Sequence, residues 1–310
     1  MIACLFPGQG SQFVGMGKAL ADRFPLCSAT FLEADVALGE SVSGLTFNGP
    51  AERLALTEYT QPAILTMSVA VWRLLEQRGL KPSFFAGHSL GEYSAHVAAG
   101  TLALGDAVRL VRNRGRYMQE AVPVGEGGMA AILGLDEAGV VRACEEAAEG
   151  DVVSPANLNG HGQIVISGSA AAVARAVTRA KALGAKRTVP LKVSAPFHCA
   201  LMEPAATRLA PELHAVPSRD PRVPVVANFD AEPKRTAVAS IDALIRQVSS
   251  PVRWESVIQR LASEGVTAYV EVGPGKVLSG LVKKIVREAT ILNVEGPDDL
   301  AAVEALFTPA

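Results

Sequence analysis

Residues 82–100, Pro-Ser-Phe-Phe-Ala-Gly-His-Ser-Leu-Gly-Glu-Tyr-Ser-Ala-His-Val-Ala-Ala-Gly, constrain the fold more than any other stretch of this chain. A short apolar strand passes abruptly into a helix of small residues, with Ser89 at the junction. Gly87-His88-Ser89-Leu90-Gly91 fits the G-x-S-x-G pattern. A strand-to-helix turn that tight holds its serine in a strained backbone conformation, where side chains two positions to either side would collide; hence the two glycines. The hydroxyl then stands at a helix N-terminus, where the dipole and free N–H groups favour developing negative charge. Composition supports the same class. Hydrophobic residues make up 49% of the chain and aromatics only 5%, so aliphatic side chains and alanine do most of the packing, as suits helices laid on a parallel sheet.

Other segments repeat the theme. Residues 2 to 6 read as a buried first strand, left sharply through Gly8 and Gly10 of Phe6-Pro7-Gly8-Gln9-Gly10-Ser11-Gln12. Thr60–Leu75 reads as a buried helix opened by Pro62 in its first turn. Residues 267–281 carry strand, glycine turn and helix once more, and Gly273-Pro274-Gly275-Lys276 lacks the spacing of a phosphate-binding loop. Between Gly127 and Val193 the pattern changes to β-α-β-β-α-β, its last strand KRTVPLKV, which is the ferredoxin-like order. The expected fold is therefore an α/β body of residues 1–125 and 195–310, interrupted by a ferredoxin-like subdomain at 126–194.

Net charge is −2, which offers no global attraction to nucleic acid or to a membrane surface. No uncharged apolar run approaches the ~20 residues of a membrane span, and no basic, apolar leader opens the chain, so a cytoplasmic protein is expected. Cys4, Cys27, Cys144 and Cys199 lack the spacing of a zinc site or a disulfide framework and read as structural thiols; no metal is expected.

A serine nucleophile needs a base, and there are five histidines. His88 lies within the elbow and is expected to point away; His96 packs or caps; His161 is a turn residue; His214 belongs to a charged helix. His198 follows Ser194-Ala-Pro-Phe, where proline fixes the backbone ahead of a helix. It is either a rigidly aimed base or structural. At about 100° per residue, Arg114 falls on the apolar face of its helix with Leu104, Val108, Val111, Gly115 and Met118, whereas Arg109, Arg112 and Arg116 fall on the solvated face. A guanidinium among buried apolar groups needs an anionic partner, either an internal Asp or Glu or a carboxylate carried in by a ligand.

In FPGQGSQ, TQPAILT, GHSLGEYSA, the RNRG that contains Arg114, APFHCALM and EVGPGKVLSGL, the chain resembles the malonyl-CoA:acyl carrier protein transacylases of fatty acid synthesis from about residue 5 to about residue 290. The resemblance implies a hydrolase-like parallel-sheet body with the ferredoxin-like insert, Ser89 as nucleophile and His198 as its base. It also implies an oxyanion hole from the backbone N–H groups of Gln9 and Leu90, and a malonyl carboxylate bound by Arg114 with help from Gln61. Phe197 would crowd out a 2-methyl branch, and the carbonyl of Gln247 would orient His198. The implied partners are malonyl-CoA and acyl carrier protein. No cofactor is implied beyond coenzyme A as product, and the expected state is a monomer. Lys186, Arg187, Lys283, Lys284 and Arg287 are candidates to meet an acidic carrier. A polyketide-serving acyltransferase, a thioesterase or esterase, and an inactive carrier-docking module are the alternatives. Against an esterase, α/β-hydrolases place their histidine near the chain end, and His198 is followed by a further third of this one.

Overall fold

The computed structural model describes residues 1–191, 193 and 195–307. Strand β1 (Ile2–Phe6) is buried from Ala3 onward. Alternate residues of a strand face opposite sides. Cys4 and Phe6 pack with Ile64, Met67 and Trp72 on one face, while Ala3 and Leu5 pack with Trp254, Val257 and Leu261 on the other. A strand covered on both faces has no position for a polar side chain, which is why this one reads as an unbroken apolar run.

It lies inside a six-stranded sheet ordered β10 (Thr290–Val294), β9 (Ala268–Val272), β1, β2 (Phe84–Gly87), β7 (Val225–Val226) and β8 (Pro233–Lys234). The first five are parallel, and β8 runs antiparallel to β7. Because β1 and β2 pair with Phe6 opposite Gly87, the loop after β1 and the elbow after β2 emerge side by side. That is the carboxyl edge of the sheet, where open α/β folds place their ligands.

A separate sheet, β4 (Val153–Leu158), β5 (Gln163–Ser169), β3 (Gly127–Leu133) and β6 (Arg187–Pro190), is antiparallel throughout. Helices Glu137–Ala148 and Ala170–Ala182 complete the expected β-α-β-β-α-β order. Val140, Ala143, Val173 and Ala176 of these helices pack on Ile132, Ile164 and Ile166 of one sheet face. The opposite face carries Met129, Ala156 and Val165, which meet Leu191, Val193 and Phe197. Strand β6 is shorter than expected; Lys192 of the anticipated strand and Ser194, which leads into the His198 segment, lie outside the described residues. The end of β4 is joined to the larger sheet's side of the molecule by Leu158 N donating to Val252 O at 2.8 Å and Val252 N donating to Ala156 O at 2.9 Å.

The helix expected to begin at Thr60 begins at Thr57 and runs to Gln77, with Pro62 in its interior rather than its first turn. Proline there removes one helical bond and costs about 3 kcal/mol. The chain offsets this in two ways. Arg112 Nη1 donates to the carbonyl of Glu58 that Pro62 cannot reach, at 3.4 Å. Burial of Ile64, Leu65, Met67 and Leu75 adds about 1.5–3 kcal/mol per side chain, several times the loss. Arg112 itself departs from expectation. Arg109 and Arg116 are about half exposed, but the Arg112 side chain retains only 20% exposure, pairs with Glu40 at 2.6 Å and lies over the Tyr59 ring at 4.0 Å. All four cysteines are buried and free, and among the described residues no helix is long and apolar enough to cross a membrane.

Candidate active site

The elbow is built by steric exclusion. A Cβ on Gly87 would lie 2.0 Å from the carbonyl of Gly91, and one on Gly91 would lie 2.0 Å from the carbonyl oxygen of Phe6. With both absent, β1, β2 and helix Leu90–Ala98 close together, and Ser89 is forced to φ 53°, ψ −109°. Strain of this kind costs about 1–3 kcal/mol and persists only where neighbours over-determine it. Asn228, just past β7, does so: its Oδ1 accepts from Ser89 N at 2.7 Å and its Nδ2 donates to Gly87 O at 2.7 Å.

His198 reaches the serine from the other side. Its φ is 60°, a second left-handed residue, in a segment where Pro196 packs against Gly127 so closely that a Cβ there would lie 2.5 Å from the proline ring. The Gln247 carbonyl, 3.0 Å from Nδ1, can only accept, so Nδ1 carries the proton and Nε2 presents its lone pair to Ser89 Oγ at 2.7 Å. Burial, and secondly the nearby Arg114 cation, lower the imidazole pKa to about 3. The ring is neutral at physiological pH and able to take a proton.

Arg114 is 2% exposed. Its Nη1 donates to Gln61 Oε1 at 2.9 Å, and its Nη2 donates to Gln247 Oε1 at 2.8 Å and to Ser89 Oγ at 3.2 Å. Among the described residues it forms no ion pair, so the internal carboxylate allowed by the sequence does not clamp it. The nearest counter-charge is one amide away. Gln247 Nε2 donates to Glu92 Oε2 at 2.8 Å and to Ser89 O at 2.8 Å, and Asn228 N donates to the same carboxylate oxygen at 3.0 Å. Glu92 is fully buried, and burial raises its carboxyl pKa to about 7 against those hydrogen bonds.

Ser89, His198, Arg114, Gln61, Gln9, Leu90 and Phe197 line one cleft of about 380 Å³, joined by Met118, Met129 and Asn157; Gln247 stands behind it. The amides of Gln9 and Leu90 donate to no backbone carbonyl outside helix and strand ladders among the described residues, and Leu90 is the first residue of its helix. An oxyanion formed at Ser89 would thus find a helix N-terminus and a glycine-flanked amide. His88 lines the cleft but its Nε2 donates to Asn159 Oδ1 at 3.0 Å and its ring packs on Trp254, away from the serine. His96 is buried with its Nδ1 3.4 Å from Thr101 Oγ1; His161 is a left-handed turn residue; His214 ends helix Glu203–Ala215. Among the described residues no cluster of His, Cys, Asp and Glu is placed to hold a metal.

Asn228, Glu92 and Thr57 also support the site, beyond the residues expected from the sequence. Asn228 had one usable signal, a polar residue directly after an apolar strand, at the sheet edge where sites form. Glu92 had another, a carboxylate in the first turn of the elbow helix.

An acyl transferase domain matches residues 4–301. A malonyl CoA-acyl carrier protein transacylase of Salmonella typhimurium is 54% identical over 301 residues, covering 97% of each chain. The structure superposes on an acyl carrier protein S-malonyltransferase of Vibrio cholerae with a TM-score of 0.96 at 48% identity, covering 97% of this chain and 99% of that one. It superposes equally on a malonyl-transacylase solved in complex with its type II polyketide synthase acyl-carrier protein, at a TM-score of 0.96 and 47% identity, covering 98% and 99%.

Proposed function

The chain belongs to the acyl transferase domain family, among the malonyl CoA-acyl carrier protein transacylases, and on that premise we propose that Ser89 and His198 carry malonyl from malonyl-CoA to the phosphopantetheine thiol of acyl carrier protein by ping-pong transfer. Ser89 Oγ attacks the thioester carbonyl while His198 Nε2 takes its proton. The tetrahedral oxyanion is stabilised by the N–H groups of Gln9 and Leu90. His198 returns the proton to the departing sulfur, coenzyme A leaves as the thiol, and a malonyl ester of Ser89 remains. The carrier's thiol then gives its proton to His198, attacks the ester, and Ser89 leaves reprotonated. Gln247 holds the imidazole throughout.

The observation that carries this reading is Arg114: a buried cation 3.2 Å from the nucleophile, held only by neutral groups. One methylene separates the two carbonyl carbons of a malonyl group, so a malonyl carboxylate must bind beside the atom that attacks. Acetyl would leave the guanidinium without an anion. Gln61 lines this end, and Phe197 narrows the cleft against a 2-methyl branch.

The reading extends to the whole chain: a body of residues 1–125 and 195–310, a ferredoxin-like subdomain of 126–194, and a cytoplasmic monomer serving fatty acid biosynthesis with no cofactor beyond the coenzyme A of its substrate. The relative bound to a polyketide carrier supports a second client of the same chemistry. Lys186, Arg187, Lys283, Lys284 and Arg287 are exposed and form no ion pair among the described residues, which leaves them to meet an acidic carrier. Intact mass spectrometry after mixing with malonyl-CoA, acetyl-CoA or methylmalonyl-CoA tests the proposal. A malonyl adduct lost in Ser89→Ala is expected. Equal labelling by all three thioesters would overturn the carboxylate pocket, and rapid release of free malonate would point to a hydrolase.

A further inference from the structure

Glycines on both sides of Gln9 let its main chain approach the cleft, but they supply no stiffness. The stiffness must come from anchors. Two are local: Ser11 Oγ donates to Gly8 O at 2.8 Å, and Gly10 N donates to Gln12 Oε1 at 2.7 Å. The third comes from another element. Thr57 Oγ1, on the first residue of helix Thr57–Gln77 and 1% exposed, donates to Gln9 Oε1 at 2.6 Å.

The direction of that bond is set at a distance. Arg114 can only donate, so the atom of Gln61 it meets must be the amide oxygen. Gln61 Nε2 therefore faces Thr57 Oγ1, at 3.2 Å, and donates to it. The threonine proton is thereby turned towards Gln9, whose side-chain oxygen must receive it. Three hydrogen bonds run head to tail from the buried cation to the exposed glutamine, each polarising the next.

We propose that Thr57 is a positioning residue of the oxyanion hole: its hydroxyl fixes the Gln9 loop so that the Gln9 N–H faces the reacting carbonyl, and it ties that loop to the cation that receives the substrate carboxylate. The role rests on the acyl-transfer reading of Ser89. Thr57 does not line the cleft. Its effect is carried by the Gln9 amide, which stabilises charge in the transition state more than in the bound substrate, so its loss acts on turnover rather than affinity.

The test is Ser89 acylation by malonyl-CoA, followed in rapid-quench samples by intact mass, in the wild type and in Thr57→Val, Thr57→Ser and Gln9→Leu. Thr57→Val keeps the shape and removes the hydroxyl; acylation at saturating malonyl-CoA is expected to slow about tenfold, as the loss of one hydrogen bond implies, with half-saturation changed less than about twofold. Thr57→Ser restores the rate. Gln9→Leu leaves the backbone N–H in place and breaks the same bond from an exposed position, so it reproduces the defect even where Thr57→Val fails to fold. The double variant is no slower than the slower single one. Wild-type rates in Thr57→Val or Gln9→Leu, or multiplying effects in the double variant, overturn the role of Thr57 while the wild-type malonyl adduct leaves the acyl-transfer reading standing. Absence of that adduct in the wild type overturns the reading itself.

Discussion

Replacing Arg114 by alanine should exchange a malonyl preference for a broader one, and the size of the exchange follows from the contacts. Each hydrogen bond to a charged group contributes about 1.5–3 kcal/mol, so a bidentate carboxylate gains about 3–6 kcal/mol. Three of the five N–H donors are engaged and Nε has no hydrogen-bond partner among the described residues, so a carboxylate taking Nε–H and one Nη–H displaces at most one existing bond, itself about 1.5–3 kcal/mol because the donor is charged. The net preference is about 1.5–3 kcal/mol, between roughly tenfold and 150-fold at 1.36 kcal/mol per decade. The assay is kcat/KM for acylation of Ser89 by malonyl-CoA and by acetyl-CoA. In Arg114→Ala the malonyl value should fall by that factor while the acetyl value falls less, so the ratio approaches unity. Arg114→Lys should keep only part of the preference, because an ammonium lacks the planar fork. An unchanged ratio with both substrates slowed alike would refute the reasoning and leave Arg114 as a structural cation.

Three further outcomes are expected. Because burial and Arg114 hold the His198 pKa at about 3, the imidazole is already neutral above that value, and the pH profile of Ser89 acylation should show no inflection near pH 6.5; a half-maximum there would show a solvated imidazole. Glu92, with its pKa raised to about 7, binds its proton more tightly folded than unfolded, so its contribution to stability is present below about pH 4.5 and is lost as pH rises through 7. The melting temperature of Glu92→Gln minus that of the wild type should therefore climb between those values, and a flat difference would mean a carboxylate already ionised throughout. Gly91→Ala puts a methyl group 2.0 Å from the Phe6 carbonyl oxygen, with backbone on both sides, and should destabilise by about 3 kcal/mol or more in urea; near-wild-type stability would show that the two strands can part.

The features legible in the sequence were those written in neighbouring residues. The elbow, the buried β1, the β-α-β-β-α-β run and the apolar face around Arg114 each depend on spacings of a few positions, which periodicity and glycine placement encode. Partners recruited over long separations are not legible in spacing: the resemblance alone supplied His198 and Gln247, and neither Asn228, which meets Ser89 across 139 positions, nor the bond of Gln247 to Glu92 across 155 was within its reach. Arg112 shows the limit of a helical wheel: the wheel says which way a side chain leaves its own helix, and Tyr59 and Glu40, from elsewhere, decide whether water is there to meet it. The helix expected at Thr60 starts three residues earlier, because the preference of proline for first turns is overridden here by a tertiary donor to Glu58. That shift hid Thr57 one turn ahead of Gln61 on the same face.

The glycine contacts between the loop after β1 and the elbow after β2 limit how such a cleft can change. Gly8 sits under the His88 carbonyl and Gly91 under the Phe6 carbonyl, with too little space at either for one added carbon. The separation of the two loops is thus inherited from the pairing of β1 with β2, and only the orientation of the Gln9 amide is left to side-chain anchors such as Thr57. The facing wall, Met118, Met129, Leu191 and Phe197, comes from a helix, the antiparallel sheet and a connecting segment, all outside that lock. New acyl preferences should accordingly arise by resizing that wall, with the chemistry-bearing side passed on unaltered.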